Sequence, residues 1–140
     1  MKLQLVTLLG IKLDTDVYEV ILPTLDGEIA VFPGHEPLVG VATPGAIVVR
    51  YKKDDDEKHL DYFAISGGVI QVSPSLVRVL VDEADSGEDI IEAESKAALE
   101  RALAHQKNAK DSIELEKATA MVDRHAVRLK VAGLRRRYKR

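Results

Sequence analysis

The chain has 140 residues and a formal net charge of −3, with 20 basic and 23 acidic side chains. It contains no cysteine, which excludes a disulfide framework and a thiolate metal site. Met1 and Lys2 lead directly into an alternating segment without the apolar region of a signal peptide, and the sequence has no run of about 18 apolar residues to cross a bilayer. We expect no signal peptide and no direct membrane insertion.

Composition and charge both change near residue 85. All five prolines and seven of the nine glycines lie within residues 1–74, whereas the later sequence is rich in Ala, Glu, Lys and Arg. Residues 1–84 carry 13 acids and 7 bases, while residues 85–140 carry 10 acids and 13 bases. We predict a β domain over residues 1–84 and a helical unit over residues 85–140. Their opposite net charges indicate two surfaces that meet different partners.

The first unit consists of short runs rich in Val, Ile, Leu and Tyr. Turn signals such as Asp26-Gly27, Pro44-Gly45 and Gly67-Gly68 separate them at roughly 8 to 12 residues, the spacing typical of an all-β sandwich or barrel. The predicted strands cover residues 2–9, 17–22, 28–31, 46–51, 60–65, 68–72 and 76–81.

The second unit has the hydrophobic period of helices. Either Asp85 with Glu88 or Ser86 with Asp89 is suited to cap a first helix that begins at Glu88 and ends near Asn108. Small residues dominate its apolar stripe, which allows a close helix–helix approach. The predicted stripe contains Ile90, Ala93, Ala97, Arg101 and Ala104, with Ile91, Ala98 and Ala102 beside it.

A second helix follows after a short link. Asp111 and Glu114 have the spacing of a capping box. The short link predicts two antiparallel helices whose facing stripes bury each other, although an alanine-rich seam buries little area and needs a further surface to dock on. The predicted face of the second helix comprises Leu115, Ala118, Val122, Ala126, Leu129 and Ala132 or Gly133.

No arrangement of residues predicts catalysis. His35 lies in a glycine-flanked loop, but an acid–base role would also need a nucleophile or a metal, and the four histidines lack metal-ligand spacing. Gly67 and Gly68 lack the Gly-Lys-Ser/Thr of a phosphate-binding loop. We predict no catalytic residue and no metal site, and a hydrolase that uses His35 ranks last among the alternatives.

The C-terminal segment is strongly basic. No acidic residue follows Asp123, and Arg124, Arg128 and Arg135 recur at helical spacing. Such a face is suited to an acidic protein surface. The alternative is a free β-sandwich module whose basic helical arm binds nucleic acid, but Tyr138 is the only aromatic residue after Phe63, so a stacking platform is absent.

Three segments together resemble the epsilon subunit of bacterial F-type ATP synthases. They are LPTLDGEIAVFPGHEPLVGVATPGAIVVR at residues 22–50, AISGGVIQVSPSLVRVLVDEA at residues 64–84, and KAALERALAHQ followed by an arginine-bearing second helix. The resemblance implies a ten-stranded β-sandwich followed by a helical hairpin. It also implies a noncatalytic subunit of the central stalk that binds gamma and the c-ring, couples proton-driven rotation to ATP synthesis, and lies peripherally on the cytoplasmic face of the inner membrane.

The resemblance also implies roles for particular residues. Glu28, Pro33, Gly34 and His35 match loops that face the c-ring and gamma. In the family, the hairpin folds against the sandwich or extends along gamma, where its basic residues meet an acidic surface of the beta subunits, next to alpha, and hinder ATP hydrolysis. By this resemblance, the residues facing that surface are Arg124, Arg128, Arg135 and Arg136.

One departure from the family concerns nucleotides. Some bacterial members bind ATP through an Ile/Leu-Asp-x-x-Arg-Ala motif on the first helix and arginines on the second. Arg124 and Arg128 match those arginines, but Ile91 replaces the acid of the motif and Glu94 replaces its arginine. A carboxylate at Glu94 repels phosphate. We therefore expect no cofactor, and weak or absent ATP binding to the isolated subunit.

Overall fold

The computed structural model describes residues 1–138 and contains ten β-strands followed by two α-helices. Two 3₁₀ turns, Glu57–His59 and Gly87–Asp89, precede β7 and α1. Lys139 and Arg140, the last two residues of the predicted basic terminus, lie outside the described residues. The strands are β1 Lys2–Thr7, β2 Gly10–Asp16, β3 Glu19–Thr24, β4 Gly27–Val31, β5 Leu38–Ala42, β6 Gly45–Arg50, β7 Asp61–Ile65, β8 Gly68–Val72, β9 Leu76–Val81 and β10 Ala84–Ser86, and the helices are α1 Glu92–Lys107 and α2 Ser112–Tyr138.

The strands form one continuous sheet in the order β10-β7-β6-β3-β5-β8-β9-β1-β2, with β4 added to β3. All the strand pairs are antiparallel except β1 with β9. This sheet folds over an apolar core, to which most strands contribute alternate, inward-pointing residues. In β1, for example, Leu3 and Leu5 are fully buried, whereas Gln4 and Val6 are partly exposed. The predicted β-sandwich followed by a helical hairpin is confirmed.

Sequence patterns identified seven of the ten strands and missed β2, β5 and β10. β2 is a polar edge strand with mostly exposed side chains, so it lacks the alternation that marks a half-buried strand. β5 is apolar but contains Gly40 and follows Pro37, both of which read as turn signals. β10 has only three residues and exists because it pairs with β7.

The start of the first helix was predicted wrongly. Ser86 does act as a cap, accepting a hydrogen bond from the Glu88 amide at 3.4 Å, but it caps the short 3₁₀ turn. The α-helix itself begins at Glu92 without a side-chain cap. The cap of the second helix is confirmed, because Asp111 Oδ1 accepts the Glu114 amide at 2.8 Å.

The two helices bury each other by faces that agree only in part with the predicted stripes. The predicted Ala102 of α1 and Ala118 of α2 are buried, but Ala93 and Ala97 are exposed, and the buried Ser95 lies outside the predicted stripe. The face of α2 changes along its length, since its first half meets α1 and its second half packs on β6 and β7. This second contact is a small apolar cluster that contains Ala46, Leu60, Tyr62, Ala64, Ile90, Val131 and Ala132, bordered by Val127, Leu134 and Tyr138.

Within residues 1–138, neither helix has the length and apolar character required to cross a membrane.

Candidate partner-binding surfaces

Strand β4 carries the predicted residue Glu28 at one edge of the sandwich. Glu28 is exposed and lies directly after the β3–β4 turn, where Gly27 adopts a φ of 109°. The Thr24 hydroxyl closes this turn by donating to the Gly27 carbonyl and accepting from the Asp26 amide. Because β4 pairs only with β3, its second edge is free of strand pairing within the described residues.

The loop after β4 holds the other three predicted residues. Gly34 has a φ of 85°, and its amide donates to the Pro74 carbonyl at 2.8 Å, which ties the loop to the β8–β9 turn. The His35 ring approaches the Glu36 carbonyl at 2.7 Å through Nδ1. We call the segment of residues 27–35 the β4 edge. It carries Glu28 at its start and Pro33, Gly34 and His35 at its end, so the remainder of β4 lies between the two groups.

A second surface comes from the cross-strand register of β5, β8, β9, β1 and β2. Val41 is opposite Val69, Val69 is opposite Leu80, and Leu80 is opposite Val6. Val6 is in turn opposite Ile11. These residues form an outward-facing apolar row across five strands, and the β1–β2 turn adds Leu8 and Leu9, which are 80% and 100% exposed. The apolar face is therefore Val6, Leu8, Leu9, Ile11, Val41, Val69 and Leu80.

Sequence reasoning assigned no role to the apolar face, although a signal was present. Strands β5, β8 and β9 carry apolar residues at both odd and even positions, for example LVRVLV in β9. A strand with one solvated face alternates, whereas a strand covered on both faces is apolar throughout. Neighbouring pairs such as Val79 and Leu80 thus indicated that something covers the outer face.

The structure brings the four predicted arginines together on α2 and pairs each with an acid of the same chain. Arg124 Nε lies 3.0 Å from Glu83 Oε2, and Arg128 Nη1 lies 2.8 Å from Asp85 Oδ2. We call these four arginines, 124, 128, 135 and 136, the arginine row. Their partners are called the linker acids and lie between the end of β9 and the first residue of α1: Glu83, Asp85, Glu88 and Glu92.

The two remaining pairs lie nearer the C-terminus of α2. Arg135 is 3.9 Å from Glu88, and Arg136 is 3.0 Å from Glu92. All four pairs are partly solvent-accessible, and the Arg128–Asp85 pair is the most shielded, with side chains 20% and 33% exposed. Sequence analysis found the arginines but missed the linker acids, because their partnership depends on α2 folding back beside β10.

A groove of about 490 Å³ lies between the two helices. Ala98, Ala102 and Ala118 contribute small side chains to it, which leave space at the seam. Its charged and titratable lining consists of Arg101, His105, Glu114, Lys117 and His125.

His125 is the most perturbed of these groups. Burial lowers the pKa of His125 below its usual value, and the neighbouring charges of Arg124, Arg128 and Arg101 lower it further. Its Nδ1 is buried and has no hydrogen-bond partner among the described residues. The environment therefore favours the neutral imidazole.

Two sequence comparisons identify the family. The family model for the ATP synthase Delta/Epsilon chain beta-sandwich domain matches residues 1–87. The ATP synthase epsilon chain of Herpetosiphon aurantiacus is 33% identical over 135 residues, which is 96% of this chain and 96% of that protein. This chain belongs to the ATP synthase epsilon chain family. The resemblance seen in the sequence motifs is thus confirmed.

Solved structures agree with the family. A chain in the cryo-EM structure of the Euglena gracilis mitochondrial ATP synthase, containing OSCP, F1 and the c-ring, has a TM-score of 0.78 and 26% identity, with 94% of this chain and 79% of that chain covered. A chain in the Tetrahymena thermophila central stalk and c-ring structure has a TM-score of 0.60 and 14% identity over 93% of this chain and 94% of that chain. The second match supports the fold of the family alone.

His35 approaches a backbone carbonyl, and residues 1–138 contain no group of three or more His, Asp or Glu that could hold a metal ion. The features that the fold assembles are surfaces: the polar β4 edge, the apolar face and the arginine row.

We expect acid to weaken the docked hairpin through His125. Because the pKa of His125 is lowered in the folded chain, the unfolded state binds more protons in acid. The stabilisation is fully present above the unfolded-state pKa of about 6.5 and is lost as the pH falls through the lower folded-state value. His125→Gln should therefore reduce the pH dependence of amide-exchange protection in α2.

His59→Gln is the matched control, since His59 is exposed and paired with Asp56 outside the hairpin. An NMR titration in which His125 has a pKa at or above about 6.5 would contradict the prediction.

Proposed function

We propose that the chain is a noncatalytic rotor subunit in the central stalk of an F-type ATP synthase and couples proton-driven rotation to ATP synthesis. The observation that carries the proposal is the match to an epsilon chain over 96% of both sequences, sandwich and hairpin together. Its partners would be gamma, the c-ring and the beta and alpha subunits, and it would lie peripherally at the cytoplasmic face of the inner membrane. Nothing in the comparisons favours the nucleic-acid alternative, since the matched proteins are ATP synthase subunits.

The apolar face is the proposed docking surface for gamma. The opposite outer face of the sandwich, on β6 and β7, is already covered by α2. The apolar face carries the longest run of exposed apolar pairs in the described sheet, and such a contiguous patch marks an interaction site. A stalk subunit must stay bound to its rotating partner, which apolar burial achieves better than a polar contact.

Leu80→Asp should weaken binding of the full chain to gamma by at least about 30-fold, because it places a charge at the centre of the apolar row. Leu80 is 37% exposed, so the substitution should leave the fold intact. Binding is measured by calorimetry, with circular dichroism as the check on folding.

Leu115→Asp is the control for this experiment, since Leu115 is similarly exposed at 46% but lies on α2 away from the apolar face. Unchanged gamma affinity in Leu80→Asp would reject the apolar face, and failure of the unmodified chain to bind gamma would reject the stalk function.

The β4 edge is the proposed contact with the c-ring. Its polar groups are held by short turns: the Thr24 bonds fix the approach to Glu28, and the Gly34–Pro74 bond fixes the approach to His35. Turns held in this way keep side chains at set positions on a β scaffold. A contact that transmits torque needs such rigidity more than it needs affinity.

Single cysteines should report this contact, because the natural chain has none. In the assembled complex, Glu28→Cys and His35→Cys are each expected to form disulfides with cysteines placed in the c-ring loops, with yields several times that of Asp54→Cys. Asp54 is an exposed control position between β6 and β7. Equal yields at all three positions, measured on non-reducing gels, would contradict the assignment.

Nucleotide binding to the isolated subunit is proposed to be weak or absent, so the chain would need no cofactor. Glu94 lines the space beside the helices together with Arg101, His125 and Arg128, and its carboxylate opposes the attraction of phosphate by the two arginines. Ile91, at the other altered position of the motif, is 56% exposed and precedes α1 without capping it.

Calorimetry should detect no micromolar ATP binding to the full chain, whereas Glu94→Arg should strengthen binding by about tenfold by reversing the local charge. Glu100→Arg, on the same helix but outside that lining, supplies the same charge change as a control. Micromolar affinity of the unmodified chain would overturn this proposal.

A further inference from the structure

We infer that Arg78 recognises a carboxylate of the partner that covers the apolar face, so this face binds gamma through an apolar row and one specific ion pair. The inference rests on the proposed docking of gamma at the apolar face. It adds the chemistry that gamma must bring there: an acidic side chain set beside apolar ones.

Arg78 lies on the same outer face of the sheet as the apolar face. Val77 and Val79, its neighbours in β9, are fully buried, so Arg78 points outward in the same direction as Leu80. Residues two apart on one strand are separated by about 7 Å along the backbone. The arginine therefore lies directly beside the centre of the apolar row.

The neighbours of Arg78 on adjacent strands are polar. Gln71 of β8 is opposite Arg78 on one side and Gln4 of β1 is opposite it on the other, and Asp14 of β2 follows opposite Gln4. We call these four residues the polar row. Its acid is already engaged, because Asp14 lies 3.7 Å from the ammonium group of Lys2.

The guanidinium of Arg78 is held on one side and open on the other. Its Nε donates to Gln4 Oε1 at 3.1 Å, and Arg78 forms no ion pair within residues 1–138. Neither Nη group is among the buried polar atoms that lack a partner in this part of the chain, so both are accessible to solvent. Two parallel Nη–H groups are the end of an arginine that a carboxylate bridges with two hydrogen bonds.

The other arginine of residues 1–84 shows the contrast with a structural role. Arg50 pairs with Glu19 at 3.1 Å, donates to the Asp55 carbonyl, and is 26% exposed. Arg78 has no such acid, although residues 1–84 carry 13 acids and only 7 bases. A lysine would serve solubility as well, whereas a guanidinium held by an amide oxygen is oriented for a planar anion.

Docking of a partner makes the missing acid important. A protein that covers the apolar face also removes water from Arg78, and a desolvated charge without a counter-ion costs free energy. The carbonyl oxygen of Gln4 is occupied by Arg78, so its amide nitrogen remains as a further donor beside the guanidinium. A partner with a carboxylate at this point is favoured and one without it is disfavoured, which makes Arg78 a determinant of specificity.

The first test removes the charge from the full chain and measures its binding to gamma by calorimetry. Arg78→Gln should weaken binding about tenfold and reduce its salt dependence, because the attraction between the two charges is lost. Arg78→Lys keeps the charge without the planar fork and should recover only part of the affinity. Lys53→Gln, which removes an exposed cation from the connection between β6 and β7, is the matched control and should bind like the unmodified chain.

The second test identifies the carboxylate by exchange of charges. Arg78→Glu should weaken binding about 100-fold, because it places two acids against each other. The acidic residues of gamma are then changed to arginine one at a time, and one of these variants should restore at least about tenfold of the affinity for Arg78→Glu. The same gamma variant should bind the unmodified chain less well. Circular dichroism of each variant checks that the fold is retained.

The outcomes separate this ion pair from the docking of gamma itself. Equal affinity of Arg78→Gln and Lys53→Gln would overturn the ion pair, as would the absence of any restoring variant of gamma. If Leu80→Asp weakens binding in the same assay, the apolar docking and the stalk function stand without the ion pair. Failure of the unmodified chain to bind gamma would overturn both.

Discussion

The packing of α2 against the outer face of β6 and β7 determines which surfaces of this protein are available to partners. A sheet folded over one core has two outer faces, and the hairpin covers one of them with Val131, Ala132 and their neighbours. The other outer face keeps an apolar row that runs from Val41 to Ile11 across five strands. A protein built for continuous assembly can leave such a face exposed in isolation, because a permanent partner buries it.

The packing of α2 on the sandwich also pairs the basic side chains of the C-terminal helix with acids. The sandwich and its linker are acidic and the C-terminal helix is basic, and docking places four arginines against four linker acids. Solvent screens each pair, so no single pair is strong. Together with a small apolar contact, these pairs hold α2 on the sandwich.

The residues predicted to act in this family fall into two groups that behave differently on folding. Glu28 keeps the environment expected from its local sequence, since the turn from Thr24 to Gly27 determines it within a few residues. The loop that carries His35 also depends on the bond from the Gly34 amide to the distant Pro74 carbonyl. The arginines acquire partners 41 to 47 positions away in the sequence: Arg124 pairs with Glu83, and Arg135 pairs with Glu88. No local pattern indicates such partners. The same distinction explains why seven strands were found and β10 was not.

The sequence by itself determined the division into a β-rich and a helical part and the capping of α2 by Asp111. It also determined the family and the identity of the arginine face. These features depend on local propensity, turn chemistry and periodicity, which act over a few residues. Only the tertiary structure decided the start of α1, the pairing of β2, β5 and β10, the faces that the helices bury, and the union of the arginine row with the linker acids. These depend on register between distant strands and on where α2 lies against the sheet, which are properties of long-range packing.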